Sequence, residues 1–265
     1  MTADDRKDTI REDLQATYSG APKGPITDTM TKPLAKRFYK IATASEAAPY
    51  QILLDGRAVK TPAKRPLVLP TRAAAEAVAH EWNAQGTEIN PGTMPLTRFA
   101  NTAVDVVADT QAAVAADIVS YAGRDLLCYR AEAPSELCEA QSKLWDPVLA
   151  WVLKHFDARF TVVAGIMPVD QPESALAAIA AALEPHDPHK LTALHVMTTL
   201  TGSALLAVTH AHGGITAREA WAAANVDEDY QIALWGVDEE ATARRVARTA
   251  EFLAAGRYLA FVTQN

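Results

Sequence analysis

The spacing of apolar positions changes along the chain, from an alternation typical of strands to a helical period. Between Lys36 and Pro70, Asp55-Gly56 is a dipeptide favoured in two-residue hairpins, because both turn positions need a positive φ. This region therefore predicts a small antiparallel sheet. Its strand-like runs are RFYKIAT (37–43), YQILL (50–54), RAVKT (57–61) and PLVLP (66–70), and the last, which lies between two prolines, is expected at a sheet edge.

After residue 70 the pattern becomes helical. Thr71 is placed to cap a helix that runs to about Gln85, and Thr216 with Glu219 forms a capping box at the start of another. Asp146-Pro147 predicts a restart or kink within a helix that ends near Phe156. Further helices are predicted over 111–122, 138–156, 172–184, 188–211, 216–225, 227–235 and 238–262, with single strands at DLLCYRA (125–131) and RFTVVAGI (159–166).

These elements predict an α+β fold with two domains. A small antiparallel β-rich N-terminal domain is expected over residues 33–93, followed by a larger, mainly α-helical C-terminal domain over 94–265. Residues 1–32 mix opposite charges with a stretch rich in proline, glycine and threonine, and few of them could anchor a core. We therefore predict that residues 1–32 form a flexible tail.

Composition and charge narrow the function classes. Of the 265 residues 49% are hydrophobic and 22% charged, as in soluble globular proteins, and the net charge of −7 argues against nucleic acid or an anionic membrane as a partner. Cys128 and Cys138 are too few for a disulfide framework. We see no signal or transit peptide and no apolar stretch long enough to insert into a bilayer. A cytoplasmic, bacterial protein is expected.

The sequence offers little reactive chemistry. It has no glycine-rich phosphate loop, and its histidine pairs lack companion ligands at metal-binding spacing, so we predict neither cofactor nor metal. The nearest approach to a nucleophile elbow, Thr201-Gly202-Ser203, falls inside a predicted apolar helix, where it would serve packing. An enzyme with its site in the cleft between the two domains stays open as an alternative, because catalytic residues can converge from distant positions.

Two strings combine aromatic and polar residues. In EWNAQ (81–85), Trp82 could pin its helix to the sheet or face a partner. In VDEDYQIALWGVDEEA (226–241), two acidic triplets bracket Tyr230 and Trp235. Carboxylates are favoured in the first turn of a helix, but an aromatic flanked by carboxylates is also the composition of a docking surface for a basic partner.

Several motifs together resemble those of the ATP synthase assembly chaperone family that binds the alpha subunit of the F-type catalytic head. They run in order from about Lys36 to Arg248: LDGRAVKTP, EWNAQ, MPLTRFANTAVD, DLLCYRAEAP, WDPVLAW, LTGS and AWAAANVDEDYQIALWGVDEE. The resemblance implies a β-rich domain followed by a helical one. It also implies an ATP-independent chaperone, not an enzyme, that shields the beta-facing surface of unassembled alpha subunit.

The resemblance places the partner-binding residues in two groups. The first group, on the acidic C-terminal motif, is Glu228, Trp235, Asp238, Glu239 and Glu240. The second is Trp82, Arg98, Asn101 and Asp105, of which Arg98 and Asn101 are one helical turn apart. We expect the free chaperone to be monomeric, and a general holdase for many clients is a further alternative.

Overall fold

The computed structural model describes residues 34–184 and 187–264, so the predicted tail, 1–32, lies outside the described residues. The strands are β1 (Ala35–Lys36), β2 (Ala42–Ala44), β3 (Tyr50–Leu54), β4 (Arg57–Ala58), β5 (Val68–Leu69), β6 (Glu88–Ile89), β7 (Tyr129–Arg130) and β8 (Val163–Ala164). The helices are α1 (Arg72–Asn83), α2 (Pro95–Thr102), α3 (Ala108–Ala122), α4 (Ser135–Phe156), α5 (Glu173–Leu183), α6 (Pro188–Thr201), α7 (Ala204–Ala211), α8 (Ala217–Ala224), α9 (Val226–Trp235) and α10 (Glu239–Thr263). Antiparallel strands precede a mostly helical region, which confirms the predicted α+β fold.

Contacts divide the described chain into two compact units. The sheet unit holds residues 34–113, Pro188–Thr192 and 260–264, and the helical unit holds the remainder of the described chain. A π-helical turn, Ala103–Val107, joins α2 to α3 within the sheet unit. The grouping does not test where independently folding domains begin and end, so the boundary between residues 93 and 94 stays a prediction.

Strand β3 is the centre of the main sheet. It pairs antiparallel with β2, β4 and β5, and the Asp55-Gly56 turn to β4 has φ values of 46° and 79°, which confirms the predicted hairpin. The predicted strand 37–43 is mostly wrong, since only β2 forms. The amides of Lys40 and Ile41 bind the Asp55 carboxylate at 3.0–3.1 Å, so they turn the chain around a side chain and do not extend a strand.

Helix α1 covers one face of this sheet. The Thr71 hydroxyl accepts the amide of Ala74 at 3.0 Å, which confirms the predicted cap. Ala75 and Val78 of the helix and Ile52 of β3 have no exposed surface, so small residues let helix and sheet approach closely. Asn83 then locks the helix to β2, since its amide group exchanges two hydrogen bonds of 2.7–2.8 Å with the backbone of Ala42.

Of the strand predicted at RFTVVAGI (159–166) only β8 forms, and the helical unit departs from the sequence prediction at two further motifs. DLLCYRA is not a single strand but a 3₁₀ turn (Leu126–Cys128) followed by β7, which pairs parallel with β8. The predicted helix 188–211 is broken at Gly202, whose φ is +69°, and Ser203 caps the new helix α7, so Thr201-Gly202-Ser203 spans the break between α6 and α7. In contrast, α4 continues through Pro147 and does not restart there.

One buried carboxylate explains both departures. Asp125 has no exposed surface, and its oxygens accept the Ser203 hydroxyl at 2.7 Å and the amides of Leu127 and Leu205 at 3.1 and 3.0 Å. The amide of Leu126 donates to the Gly202 carbonyl at 3.2 Å. Burial raises the pKa of Asp125 to about 6, although these hydrogen bonds favour the ionised form. Two segments far apart in sequence are therefore fixed by one side chain.

This carboxylate predicts a specific pH dependence of stability. Its raised pKa means that the folded chain holds a proton between about pH 4 and 6 that the unfolded chain releases, so Asp125 contributes stability that is lost as the pH rises through this window. Relative to Asp125→Asn, which cannot ionise, the wild type should lose about 1 kcal/mol of unfolding free energy between pH 5 and pH 7. Urea titrations at both pH values measure this. Parallel pH profiles for the two proteins would contradict it.

Candidate functional site

The turn between α9 and α10 exposes large apolar side chains next to carboxylates. We call residues 234–240 the acidic turn. Trp235 is 85% exposed, and Leu234 and Val237 are 58% and 71% exposed. Helix α9 ends at Gly236, whose φ of +82° turns the chain away from the helix axis. The turn therefore presents an aromatic and two aliphatic side chains to solvent, which is the usual mark of an interaction surface.

The three acids at the start of α9 differ in what they contact. Asp227 accepts the side-chain amide of Gln141 at 2.7 Å, and Gln141 in turn accepts the amide of Ala131 at 2.8 Å. Asp229 forms an ion pair with Arg245 of α10. Glu228, half-buried, makes no hydrogen bond or ion pair within the described part of the chain. Asp227 and Asp229 thus hold the helix in place, whereas Glu228 is available to a partner.

The acids at the start of α10 differ in the same way. Asp238 accepts the amide of Ala241 at 2.8 Å and so caps the helix. Glu240 pairs with Arg244 one turn along at 2.9 Å, but both side chains are exposed, so this pair contributes little to stability. Glu239 is exposed, and the described residues offer it no partner. Glu228, Glu239 and the weakly held Glu240 are therefore the carboxylates that another protein could bind.

The geometry brings Glu228 and Trp235 onto one face. They are seven residues apart on α9, about two helical turns, so their side chains project in nearly the same direction. Residues 226–240 contain six carboxylates and no lysine or arginine. The result is an aromatic anchor in a negative field, which suits a basic, partly apolar partner surface.

In the second group, Trp82 packs within the sheet unit. Its ring meets Tyr39 edge-on at 5.6 Å between centroids, and the Tyr39 hydroxyl donates to the Trp82 carbonyl at 2.6 Å. Within EWNAQ, the neighbours of Trp82 are structural. Glu81 accepts the amides of Leu96 and Thr97, both at 2.8 Å, and so anchors the start of α2, while burial raises the pKa of its carboxyl.

Arg98, Asn101 and Asp105 lie on α2 and the π-helical turn, all half-buried. Both oxygens of Asp105 are engaged: one accepts the Thr61 hydroxyl at 2.5 Å and the other the amide of Ala63 at 3.0 Å. Asp105 therefore holds the turn after β4. Asn101 Oδ1 is buried and has no hydrogen-bond partner in the described ranges. A partner-binding role for Trp82, Arg98, Asn101 and Asp105 stays a prediction.

Two candidate nucleophiles, Ser203 and Cys128, are buried. The Ser203 hydroxyl donates to Asp125 and accepts the amide of Leu206 at 3.0 Å. Burial, with the nearby Asp125, raises the pKa of the Cys128 thiol to about 12, so it stays protonated. Across 34–184 and 187–264 no three His, Cys, Asp or Glu side chains converge as metal ligands. None of the described helices is long and apolar enough to cross a bilayer.

Sequence reasoning overlooked two members of this surface. Leu234 and Val237 lie beside Trp235, yet neither was distinguished from ordinary core residues of an amphipathic helix. The available signal was Gly236 directly after Trp235, because a glycine that ends a helix marks a connecting turn, and such turns usually lie at the protein surface.

Three solved structures and one family model match this chain. The family model for the ATP12 chaperone protein matches residues 36–153. Atp12 from Paracoccus denitrificans is 41% identical, with a TM-score of 0.82, over 86% of this chain and 98% of that one. A point mutant of the same Atp12p gives 40% identity and the same score and coverage. A protein from Agrobacterium tumefaciens is 44% identical, with a TM-score of 0.83, over 96% of this chain and 97% of that one.

Alanine substitutions of two tryptophans should differ in their effect on the free energy of unfolding, because one ring is exposed and the other is buried. Trp235→Ala removes an 85% exposed ring and should change the free energy of unfolding by less than about 0.5 kcal/mol. Trp145 is fully buried and its indole donates to the Ala223 carbonyl at 2.7 Å, so Trp145→Ala should cost about 3–5 kcal/mol. Urea unfolding followed by circular dichroism measures both. A large loss for Trp235→Ala would mean that its ring supports the fold.

Proposed function

Because the chain belongs to the ATP12 chaperone family, whose role is ATP synthase assembly, we propose that it binds the unassembled alpha subunit of the F-type catalytic head and shields the beta-facing surface of that subunit. Binding is stoichiometric, takes place in the bacterial cytoplasm and involves neither ATP nor catalytic turnover. The beta subunit then displaces the chaperone as the head forms.

The observation that carries this proposal is the acidic turn. Trp235 offers most of a large ring for burial, and at ~25 cal/mol per Å² the ~150–250 Å² of an aromatic side chain contributes up to about 4–6 kcal/mol. Such an anchor, with carboxylates on its rim, has the composition of an interaction hot spot. Glu228 and Glu239 supply charges that no described neighbour neutralises, so a basic surface on the partner can do so.

The physics of assembly explains why such a surface is useful. A subunit that forms a permanent complex exposes a large apolar interface before assembly, and this interface promotes aggregation. A protein that covers the interface lowers the concentration of the aggregation-prone form by mass action. Release needs no chemical energy if the beta subunit forms the larger interface. Support for the alpha subunit as the client comes from the family resemblance of the sequence motifs.

Charge reversal at Glu228 and in the acidic turn tests the proposal. Glu228→Lys combined with Glu239→Lys should weaken binding to purified alpha subunit at least tenfold, because each replaces a rim carboxylate with a repelling charge. The unfolding temperature should fall only slightly, since neither side chain forms a hydrogen bond or ion pair within the described residues and a charge in the first turn of a helix contributes no more than about 1 kcal/mol. The matched control is Glu139→Lys, an exposed acid on α4 outside the acidic turn. Affinity is measured by surface plasmon resonance at two salt concentrations.

Co-expression supplies the functional measurement. The wild-type chain and Glu139→Lys should keep alpha subunit in the soluble fraction, and added beta subunit should displace the chaperone. The variant that carries both Glu228→Lys and Glu239→Lys should leave alpha subunit in the insoluble fraction. Equal alpha solubility with and without the chain would refute the proposed client, whereas equal activity of all variants would remove the acidic turn from the interface.

A further inference from the structure

We propose that the sheet unit carries a second binding groove, which accepts an extended segment of a partner protein in which a large apolar side chain is flanked by carboxylates. The groove encloses about 660 Å³ beside the hairpin of β3 and β4, a volume typical of ligand-binding clefts. All the residues that line it belong to the sheet unit. This proposal goes beyond the acidic turn and does not depend on the identity of the client.

An aromatic cluster forms one wall of the groove. Phe38 meets Tyr39 edge-on at 5.5 Å, and Tyr39 meets Trp82 edge-on at 5.6 Å. Phe38 is 74% exposed, and the nearby Ile41 is more than half exposed. Aromatic rings that pack on each other are rigid, so they can bury an incoming side chain at little cost in conformational entropy. The wall is therefore prepared to contact an apolar side chain.

The indole N–H of Trp82 is a hydrogen-bond donor in this wall. Its Nε1 is buried and has no hydrogen-bond acceptor in the described parts of the chain. Buried indole N–H groups usually find an acceptor, as that of Trp145 does on the Ala223 carbonyl at 2.7 Å. Because Trp82 lines the groove, a small rotation of its ring would let Nε1 donate to a bound segment. A carbonyl or carboxylate oxygen of that segment would then be the missing acceptor.

The charged residues of the lining set the sign of the charge that the ligand must carry. Residues 34–69 contain seven lysines and arginines against two acids, a net charge of +5 in a chain of net charge −7. Arg57 and Lys60 line the groove, are exposed, and form no ion pair in the described ranges. Asp55, the one acid in the lining, already accepts the amides of Lys40 and Ile41. Two cations are thus left to bind carboxylates beside the apolar anchor.

The open form of the groove favours a peptide segment over a metabolite. Its lining combines the exposed ring of Phe38 with the exposed cations Arg57 and Lys60, and Ile41, three residues along the chain from Phe38, is also more than half exposed. An extended chain that lays one apolar side chain on the aromatic wall would bring its neighbouring carboxylates within reach of Arg57 and Lys60. We therefore commit to a protein segment of that chemistry as the occupant.

The experiment uses the full chain and the blocked peptide acetyl-Ala-Asp-Phe-Glu-Ala-amide. The chain has five tryptophans, so a ¹H–¹⁵N spectrum shows five indole signals, and that of Trp82 is assigned by its loss in Trp82→Phe. Titration should shift the Trp82 signal saturably, with a dissociation constant in the millimolar range or tighter. The indole signals of Trp145 and Trp235 should not move. Peptides with alanine for phenylalanine, or lysine for both acids, should bind at least fivefold more weakly.

Variants of the chain test which residues are responsible. Arg57→Glu with Lys60→Glu should weaken peptide binding at least tenfold, because two attractive charges become repulsive. Lys64→Glu is the matched control, since this exposed lysine lies in the same unit but outside the groove lining, and it should bind as the wild type does. An unmoved Trp82 signal, or equal binding by all three proteins, would overturn the proposal.

The charges also allow a second occupant of the groove, and sedimentation distinguishes it from a partner protein. A second copy of this chain could offer its own acidic turn to the groove. Self-association of the wild type that Lys60→Glu abolishes would assign the groove to a second copy and overturn the partner proposal. A monomer at all concentrations, together with saturable peptide binding, supports it.

Discussion

The burial of one carboxylate, that of Asp125, is the constraint on which the helical unit depends. Ionised or not, Asp125 must satisfy its oxygens inside the protein, since an unpaired buried polar group costs several kcal/mol. It does so with donors about 80 residues away at Ser203 and Leu205, which fixes where α6 must end and α7 begin. Helix α7 is the buried partner of α4, and Gln141 of α4 holds Asp227 at the start of α9. The helix that presents Glu228 and Trp235 is thus connected to Asp125 through side-chain contacts within one unit.

Local signals in the sequence predicted local structure well. The Asp55-Gly56 hairpin, the Thr71 cap and the Thr216–Glu219 capping box each depend on neighbouring residues, and all three form as expected. The failures occur where a distant side chain replaces a local bond. DLLCYRA has strand composition, but Ser203 and Leu205, 78 and 80 positions away, bind its Asp125 carboxylate, which also accepts the Leu127 amide and winds the segment into a 3₁₀ turn. The hydrophobic periodicity around Asp125 and around Ser203 gives no indication that these two residues are in contact in the fold.

The same limit applies to the candidate site. The sequence identified the acidic strings and Trp235, but the roles of the individual acids depend on partners elsewhere in the chain. Asp227 is held by a glutamine 86 positions away and Asp105 by Thr61, 44 positions away, so neither is recognisable as structural from its own neighbours. Only Asp238 could have been assigned as a helix cap from its position. The aromatic groove was beyond sequence reasoning, because Tyr39, Arg57 and Trp82 become neighbours only when α1 packs on the sheet.

The apolar run at the end of α9 has a consequence for the chaperone itself. Ile232 to Val237 is a six-residue stretch without a charge, the composition of segments that nucleate aggregates, and part of it is exposed. Asp229 on one side and three consecutive acids on the other act as gatekeepers, since two copies that approach through this stretch bring like charges together. Colloidal stability is therefore expected to depend on the same carboxylates that we propose as the client-binding surface. High salt, which screens these charges, would weaken that repulsion and favour self-association of the protein through this stretch.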